Sequence, residues 1–125
     1  MVDEDFWKSR NVLVTGGGGF IGSHLAEILC ESGASVSITI RNRESNHQFV
    51  NHLLDKIKIY YGDLREYKNC LRATENQQIV FNVAAKVGGL EYNIEHPGSI
   101  FRDNMLIFMN VLEAFESIIM NVLLR

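Results

Sequence analysis

Proline occurs once in this chain, at Pro97, and cysteine twice, at Cys30 and Cys70. With so little proline there is no Pro-rich linker, and no internal repeat or low-complexity tract divides the chain. The two thiols lie in separate helical segments without metal-ligand spacing, so reduced cysteines in a cytoplasmic protein are the simplest reading. His24, His47, His52 and His96 include no i, i+4 pair, and no metal site is expected. The 12 Lys and Arg are scattered and outnumbered by 15 Asp and Glu, a net charge of −3 that excludes a general nucleic-acid surface. No apolar run is recognised as approaching the ~20 residues that span a bilayer. The N-terminus, Met-Val-Asp-Glu-Asp, is acidic and unlike a signal peptide. A soluble cytoplasmic domain is therefore expected, without a membrane or nucleic-acid partner.

What the chain does have is glycine in one place. Residues 12–22 read Val-Leu-Val-Thr-Gly-Gly-Gly-Gly-Phe-Ile-Gly. A β-branched strand runs into a glycine cluster, and Ile21, Leu25, Ile28 and Leu29 then recur at helical spacing up to Gly33 as the residue closing the helix. A pyrophosphate-binding βα turn requires this order. The glycines admit backbone N–H groups close to phosphate oxygens, and the helix points its positive end at the same charge. Gly17, Gly19 and Gly22 satisfy G-x-G-x-x-G, and Gly16, Gly19 and Gly22 satisfy G-x-x-G-x-x-G behind Thr15. Gly18, Phe20 and Ile21 complete the candidate phosphate loop. Gly19 is the position expected to permit closest approach, and Gly22 the one that lets helix and strand pack.

Strand and helix signals alternate with a βαβ period. Strands are expected at Asn11–Thr15, Ser35–Ile40, Ile57–Tyr61 and Ile79–Ala84. Helices are expected over Phe20–Ser32, more weakly around His47–Leu54, before about Glu75, and from 98 to 116 after Pro97. In this last helix Phe101, Met105, Phe108, Leu112, Phe115 and Ile119 form one apolar stripe. The right-handed crossover rule gives strand order 3-2-1-4, a Rossmann-type doubly wound parallel α/β sheet. The ligand crevice then lies between strands 1 and 4.

Four segments resemble the extended short-chain dehydrogenase/reductase family of nucleotide-sugar epimerases, dehydratases and reductases. They are Thr15 through Leu25, Gly62-Asp63-Leu64, Asn82-Val83-Ala84-Ala85, and Asn104 through Glu113-Ala114 with Asn110 between them. The resemblance covers about residues 10–116. Ala84-Ala85-Lys86-Val87-Gly88-Gly89 is most similar to the GDP-L-fucose synthases. The family resemblance implies that Asp63 contacts adenine and that Asn104 bonds toward the site; the small Ala84 and Ala85 let a cofactor lie against the strand end, and Lys86, after the strand-4 turn, is placed to point into the crevice near phosphate or sugar. An ordinary helix-capping Asp63, a surface Lys86 and a solvent-facing Asn104 are the competing readings.

No acid stands between Ser32 and Arg43, where an NAD-preferring unit places one for the ribose 2′-OH. Arg41 and Arg43 stand there instead, which favours NADP(H) over two merely solvated arginines. The family's catalysis depends on a Ser or Thr after strand 5 and a Tyr-x-x-x-Lys pair. Residues four places after Tyr60, Tyr61, Tyr67 and Tyr92 are Leu64, Arg65, Leu71 and His96, so no catalytic residue is assignable. Residues 1–125 are thus expected to form an incomplete NAD(P)-binding domain without its substrate domain, inactive alone, with a non-catalytic binding module or a truncated product as alternatives. The apolar tail from Ser117 is open to three readings: helix extension, fifth strand or altered sequence. The resemblance also implies a homodimer through helix 98–116 and a nucleotide sugar as partner of a full-length form.

Overall fold

A computed structural model describes residues 3–86 and 90–124. Four parallel strands, β1 (Asn11–Thr15), β2 (Ser35–Ile40), β3 (Lys58–Tyr61) and β4 (Ile79–Asn82), form one sheet in the order β3-β2-β1-β4. This is the expected topology. Strand β1 is central because Val12, Leu13 and Val14 are apolar on both faces, and all three are fully buried. Val12 stands in register with Val36 on one side and Ile79 on the other.

Helix α1 (Glu4–Trp7) was not anticipated. Asp3 Oδ1 accepts the N–H groups of Asp5 (3.1 Å) and Phe6 (3.2 Å), which caps it, and Trp7 packs on the core near Phe81. Helix α2 (Phe20–Glu31) covers one sheet face, burying Ala26 and Leu29 against Val12, Val14, Val36 and Ile38. It ends in a Schellman motif: Gly33 N–H donates to Cys30 O (3.0 Å), and Ala34 N–H to Leu29 O (3.1 Å). Gly33 takes φ +92°, a conformation that glycine adopts without strain. Helix α3 (Tyr67–Thr74) and helix α5 (Pro97–Leu123) cover the other face, where Leu64, Cys70, Ile107, Val111 and Ala114 cluster. The short α4 (Leu90–Glu95) precedes α5, and Pro97 opens α5 in its first turn as expected.

Several boundaries differ for local reasons. The helix expected near His47–Leu54 is only a 3₁₀ turn at Asn51–Leu53, since Asn46 Oδ1 diverts the Gln48 N–H (2.8 Å) into a side-chain turn. Strand β4 stops at Asn82 rather than Ala84, because the Val83 and Ala84 N–H groups turn to Thr15 Oγ1 (3.0 and 3.1 Å). The tail from Ser117 to Leu123 continues α5, so the sheet has no fifth strand among the described residues.

The apolar stripe of α5 stays largely outside the domain core. Phe101, Phe108 and Leu112 are 69%, 51% and 57% exposed, while Asp103, Ile107, Val111 and Ala114 are buried. By length and composition this 27-residue helix could also cross a membrane, which the sequence reading did not recognise. Its expected end at 116 and the Glu113 and Glu116 charges had hidden the length.

Candidate functional site

A cleft of about 340 Å³ opens at the carboxyl ends of the strands. Its walls come from the turn after β1, the ends of β2 and β3, and the loop after β4, as a doubly wound sheet dictates. Of the residues the sequence singled out, Gly16, Gly18, Gly19, Arg41, Asp63, Leu64, Ala84, Ala85 and Lys86 line it together.

The others stand behind or beside the cleft. Thr15 is buried, and its hydroxyl donates to Asn82 Oδ1 (2.7 Å) while accepting the Val83 and Ala84 N–H groups. It therefore ties the β1 turn to the β4 turn. Gly17 lies against Ile38, where a Cβ would come within 2.4 Å of that side chain. At Gly22 a Cβ would meet Gly16 O at 2.3 Å, the close helix–strand packing expected there. Phe20 and Ile21 are exposed at the start of α2, and Phe20 packs edge-on against Phe49. Val87, Gly88 and Gly89 of the hexapeptide lie outside the described residues.

Gly19 behaves differently. Its φ of −82° suits any residue, and the nearest atom to an added Cβ is Gly16 O at 3.5 Å. The fold itself does not require glycine there, and the space beside it opens into the cleft. No side chain caps the α2 N-terminus at this residue. The first-turn N–H groups and the positive end of the helix thus face a space that a Cβ would fill, and the turn fits a pyrophosphate.

Asp63 is neither an open acceptor nor a simple helix cap. Arg65 forks onto it, with Nη2 2.7 Å from Oδ2 and Nε 3.1 Å from both oxygens, and the Arg65 N–H donates to Oδ1 (2.9 Å). The Arg65 hydrogen bonds hold the Asp63 carboxyl below its usual range, and the pairing raises the Arg65 guanidinium in return. Arg41 Nη2 stands 3.8 Å from the same Asp63 Oδ2. The end of β2 lacks an acid, but β3 brings one to it. Arg43 does not line the cleft; its guanidinium lies 4.5 Å over the Tyr61 ring.

Lys86 and Asn104 act as a pair. Lys86 N–H donates to Asn104 Oδ1 (2.6 Å) and Asn104 Nδ2 donates to Lys86 O (3.2 Å), so Asn104 faces the β4 loop rather than solvent. Asn110 makes the matching clamp on the β3 loop, donating to Leu64 O (3.1 Å) and Arg65 O (3.0 Å). Between these two clamps lies Asp103, which the sequence reading passed over. It is 2% exposed, and its Oδ2 meets Lys86 Nζ at 2.9 Å and Arg65 Nη1 at 3.2 Å, with Arg102 on Oδ1 at 3.2 Å. The Lys86 hydrogen bond, with Arg102 beside it, holds the Asp103 carboxyl below the ordinary carboxylate range. Thr39 was also missed: its Oγ1 accepts the Gly16 N–H (2.9 Å) and sets the first glycine of the turn, whose φ is +67°. A polar run of three residues, Arg102-Asp103-Asn104, between apolar Phe101 and Met105 is the available signal for Asp103.

Residues 12–124 match the NAD dependent epimerase/dehydratase family over nearly the whole chain. The chain belongs to that family. Among curated relatives, GDP-mannose 3,5-epimerase of Arabidopsis thaliana is 35% identical over 113 residues, covering 89% of this chain and 29% of the relative. CDP-glucose 4,6-dehydratase of Salmonella typhimurium is 31% identical over 124 residues, covering 94% and 34%. The chain thus spans about a third of the length of the curated relatives it matches. Among solved structures, Pen from Bacillus thuringiensis superposes with a TM-score of 0.79 at 28% identity, over 90% of this chain and 35% of that one. The Thermus thermophilus UDP-glucose 4-epimerase, solved with NAD, gives 0.67 at 32% identity over 83% and 33%. The fold is that of a Rossmann-type epimerase, and the cleft occupies the position where such sheets bind ligands.

Proposed function

We propose that this chain is the dinucleotide-binding part of a nucleotide-sugar epimerase, dehydratase or reductase. The observation that carries this reading is Gly19: a glycine that the fold does not need, set at an uncapped helix N-terminus in the floor of the cleft. The nicotinamide cofactor would supply hydride exchange with a sugar carbon. The chain's own share is to hold it. First-turn N–H groups of α2 receive the pyrophosphate, Asp63 and Leu64 flank the adenine, and Ala84 and Ala85 leave room beside β4. Lys86 and Asn104 fix the lip of the cleft. NADP(H) is the favoured form, because Arg41 lines the cleft at the end of β2 and no acid stands between Ser32 and Arg43. The nucleotide sugar is a GDP-sugar, on the resemblance to GDP-L-fucose synthases and the similarity to a GDP-mannose epimerase. Its turnover needs a Ser or Thr after a fifth strand, which the described residues do not form, and a Tyr-x-x-x-Lys pair, which these 125 residues do not contain. The setting is the cytoplasm.

Calorimetric titration of the folded chain with NADPH and NADH tests the reading. Tighter NADPH binding, lost on Arg41→Ala, supports it; a folded chain that binds neither refutes the cofactor site. Absence of GDP-sugar turnover by the same chain is also expected, and activity above background would overturn the assignment of the chemistry to residues elsewhere.

The exposed face of α5 supports a homodimer through this helix. Phe101, Met105, Phe108 and Leu112 line one side of it, each 40% exposed or more, while the opposite side packs on the domain core. Phe108→Glu with Leu112→Glu should give a monomer by sedimentation if this face pairs two copies. An unchanged mass relative to wild type would exclude it.

A further inference from the structure

Arg65 contributes four of the hydrogen bonds around Asp63, and its remaining nitrogen reaches the buried Asp103. It is half-buried and held from both sides, whereas Arg41 is 63% exposed and only 3.8 Å from Asp63. Asp63 therefore has two suitors of unequal quality. A bidentate guanidinium–carboxylate fork is the stronger arrangement, and a 3.8 Å contact without a hydrogen bond is weak. While the fork stands, the charge of Asp63 is spent on Arg65 and Arg41 keeps its own.

We propose that Arg65 is a specificity-determining residue for the cofactor's 2′ position: by engaging Asp63 it leaves Arg41 free to receive a 2′-phosphate. This rests on the NADP(H) reading above and deepens it. Without the Arg65 fork, Asp63 would draw Arg41 onto one carboxylate oxygen and leave the other as an acceptor in the same region. A phosphate there meets repulsion and loses its cation. A ribose 2′-hydroxyl instead gains an acceptor, the arrangement that NAD-preferring sheets obtain from an acid at the end of their second strand. The cofactor preference of this site is thus set by a residue on the β3 loop, outside the β2 end where sequence patterns place it.

The test is the ratio of NADPH to NADH affinity, measured by calorimetry on the purified chain and on Arg65→Met. The variant should lower that ratio about fivefold, the scale of a partly exposed charge pair. Arg65→Gln, which keeps a donor but no charge, should do the same and carries the test if Arg65→Met does not fold. Adding Asp63→Asn to either variant should restore the ratio, whatever it does to overall affinity. An unchanged ratio, or an equal loss for both cofactors, assigns Arg65 a structural role and overturns the proposal while leaving the NADP(H) reading intact. If the unaltered chain itself shows no preference for NADPH, the cofactor reading fails and this inference falls with it.

Discussion

Gly19 and Gly22 stand three residues apart in one glycine turn, yet the structure predicts opposite consequences for alanine at each. At Gly22 the new Cβ would sit 2.3 Å from Gly16 O, 2.9 Å from Gly16 C and 3.0 Å from Gly17 Cα. All three are backbone atoms of the same tight turn, so none can swing aside. Overpacking of this kind costs about 3 kcal/mol, which at this chain length lowers the melting temperature by about 12 °C. At Gly19 the Cβ has 3.5 Å to its nearest neighbour, and the backbone already lies in a region that alanine adopts. Two small terms then oppose each other. Alanine is a poorer N-cap than glycine by about 1 kcal/mol, while reduced freedom of the unfolded chain returns about 0.4–1 kcal/mol. The melting temperature of Gly19→Ala should therefore stay within about 4 °C of wild type. Binding should not survive: a methyl group in the space where the pyrophosphate meets the α2 N–H groups removes at least about tenfold in affinity. Circular-dichroism melts and calorimetric titration with NADPH measure the two quantities on the same samples. A Gly19→Ala protein that binds as wild type would refute the assignment of this turn to phosphate. One that melts as low as Gly22→Ala would show that Gly19 is needed by the fold after all.

Three further outcomes follow from the polar framework under the cleft. Asp63 and Asp103 both have depressed folded-state pKa values, through Arg65 and Lys86 respectively, so their stabilising contribution is full above the unfolded value of about 3.9 and is lost as pH falls through the folded one. Asp103→Asn should accordingly be less stable than wild type in urea at pH 7, with the gap closing below about pH 4; a gap independent of pH would contradict the ion-pair account. Asn110→Ala frees two carbonyls of the β3 loop, Leu64 O and Arg65 O, and should cost about 1–2 kcal/mol by chemical denaturation. Cys70 is 1% exposed with its thiol pushed up to about 11 by burial, so at pH 8 a disulfide reagent should label the half-buried Cys30 first and Cys70 only as the domain unfolds.

The sheet was legible because its signals are local and redundant. Val12-Leu13-Val14 and Ser35–Ile40 are β-branched runs of strand length, the glycines follow directly, and chain order plus crossover handedness leaves few arrangements. The cleft's position followed from the topology, and nine of its lining residues with it. What did not follow were pairings between loops distant in sequence. Nothing local joins Thr39 to Gly16 or Asp103 to Lys86, and only the fold shows that Arg65 turns back on Asp63 and reaches Asp103, 38 positions on. Arg41 and Arg43 illustrate the same limit from the other side. They look equivalent in the sequence, but both lie beyond the end of β2 at Ile40, where the strand's alternation no longer holds, and one lines the cleft while the other lies over Tyr61.

Hydrophobic spacing in helix α5 locates apolar lines without naming the one that the domain buries. Its residues are apolar around most of the circumference, so more than one line of steps of three and four fits the pattern. The line richest in large side chains runs from Phe101 to Ile119. The domain instead packs the line of Ile107, Val111 and Ala114, whose smaller residues let the helix approach α3 closely. That line also carries Asp103, a residue that counts against burial on any hydropathy scale. It is buried because Arg65, Lys86 and Arg102 converge on it from three segments, and no single segment announces that. The apolar stripe that remains outside is then a separate fact about the helix, with Phe101, Phe108 and Leu112 all more than half exposed. The one helix thus carries a buried charge behind Arg65 and Lys86 of the cleft wall and an apolar face to the outside. The Asp103→Asn and Phe108→Glu, Leu112→Glu variants should therefore separate cleanly, the first altering stability without changing mass, the second altering mass without changing cofactor affinity.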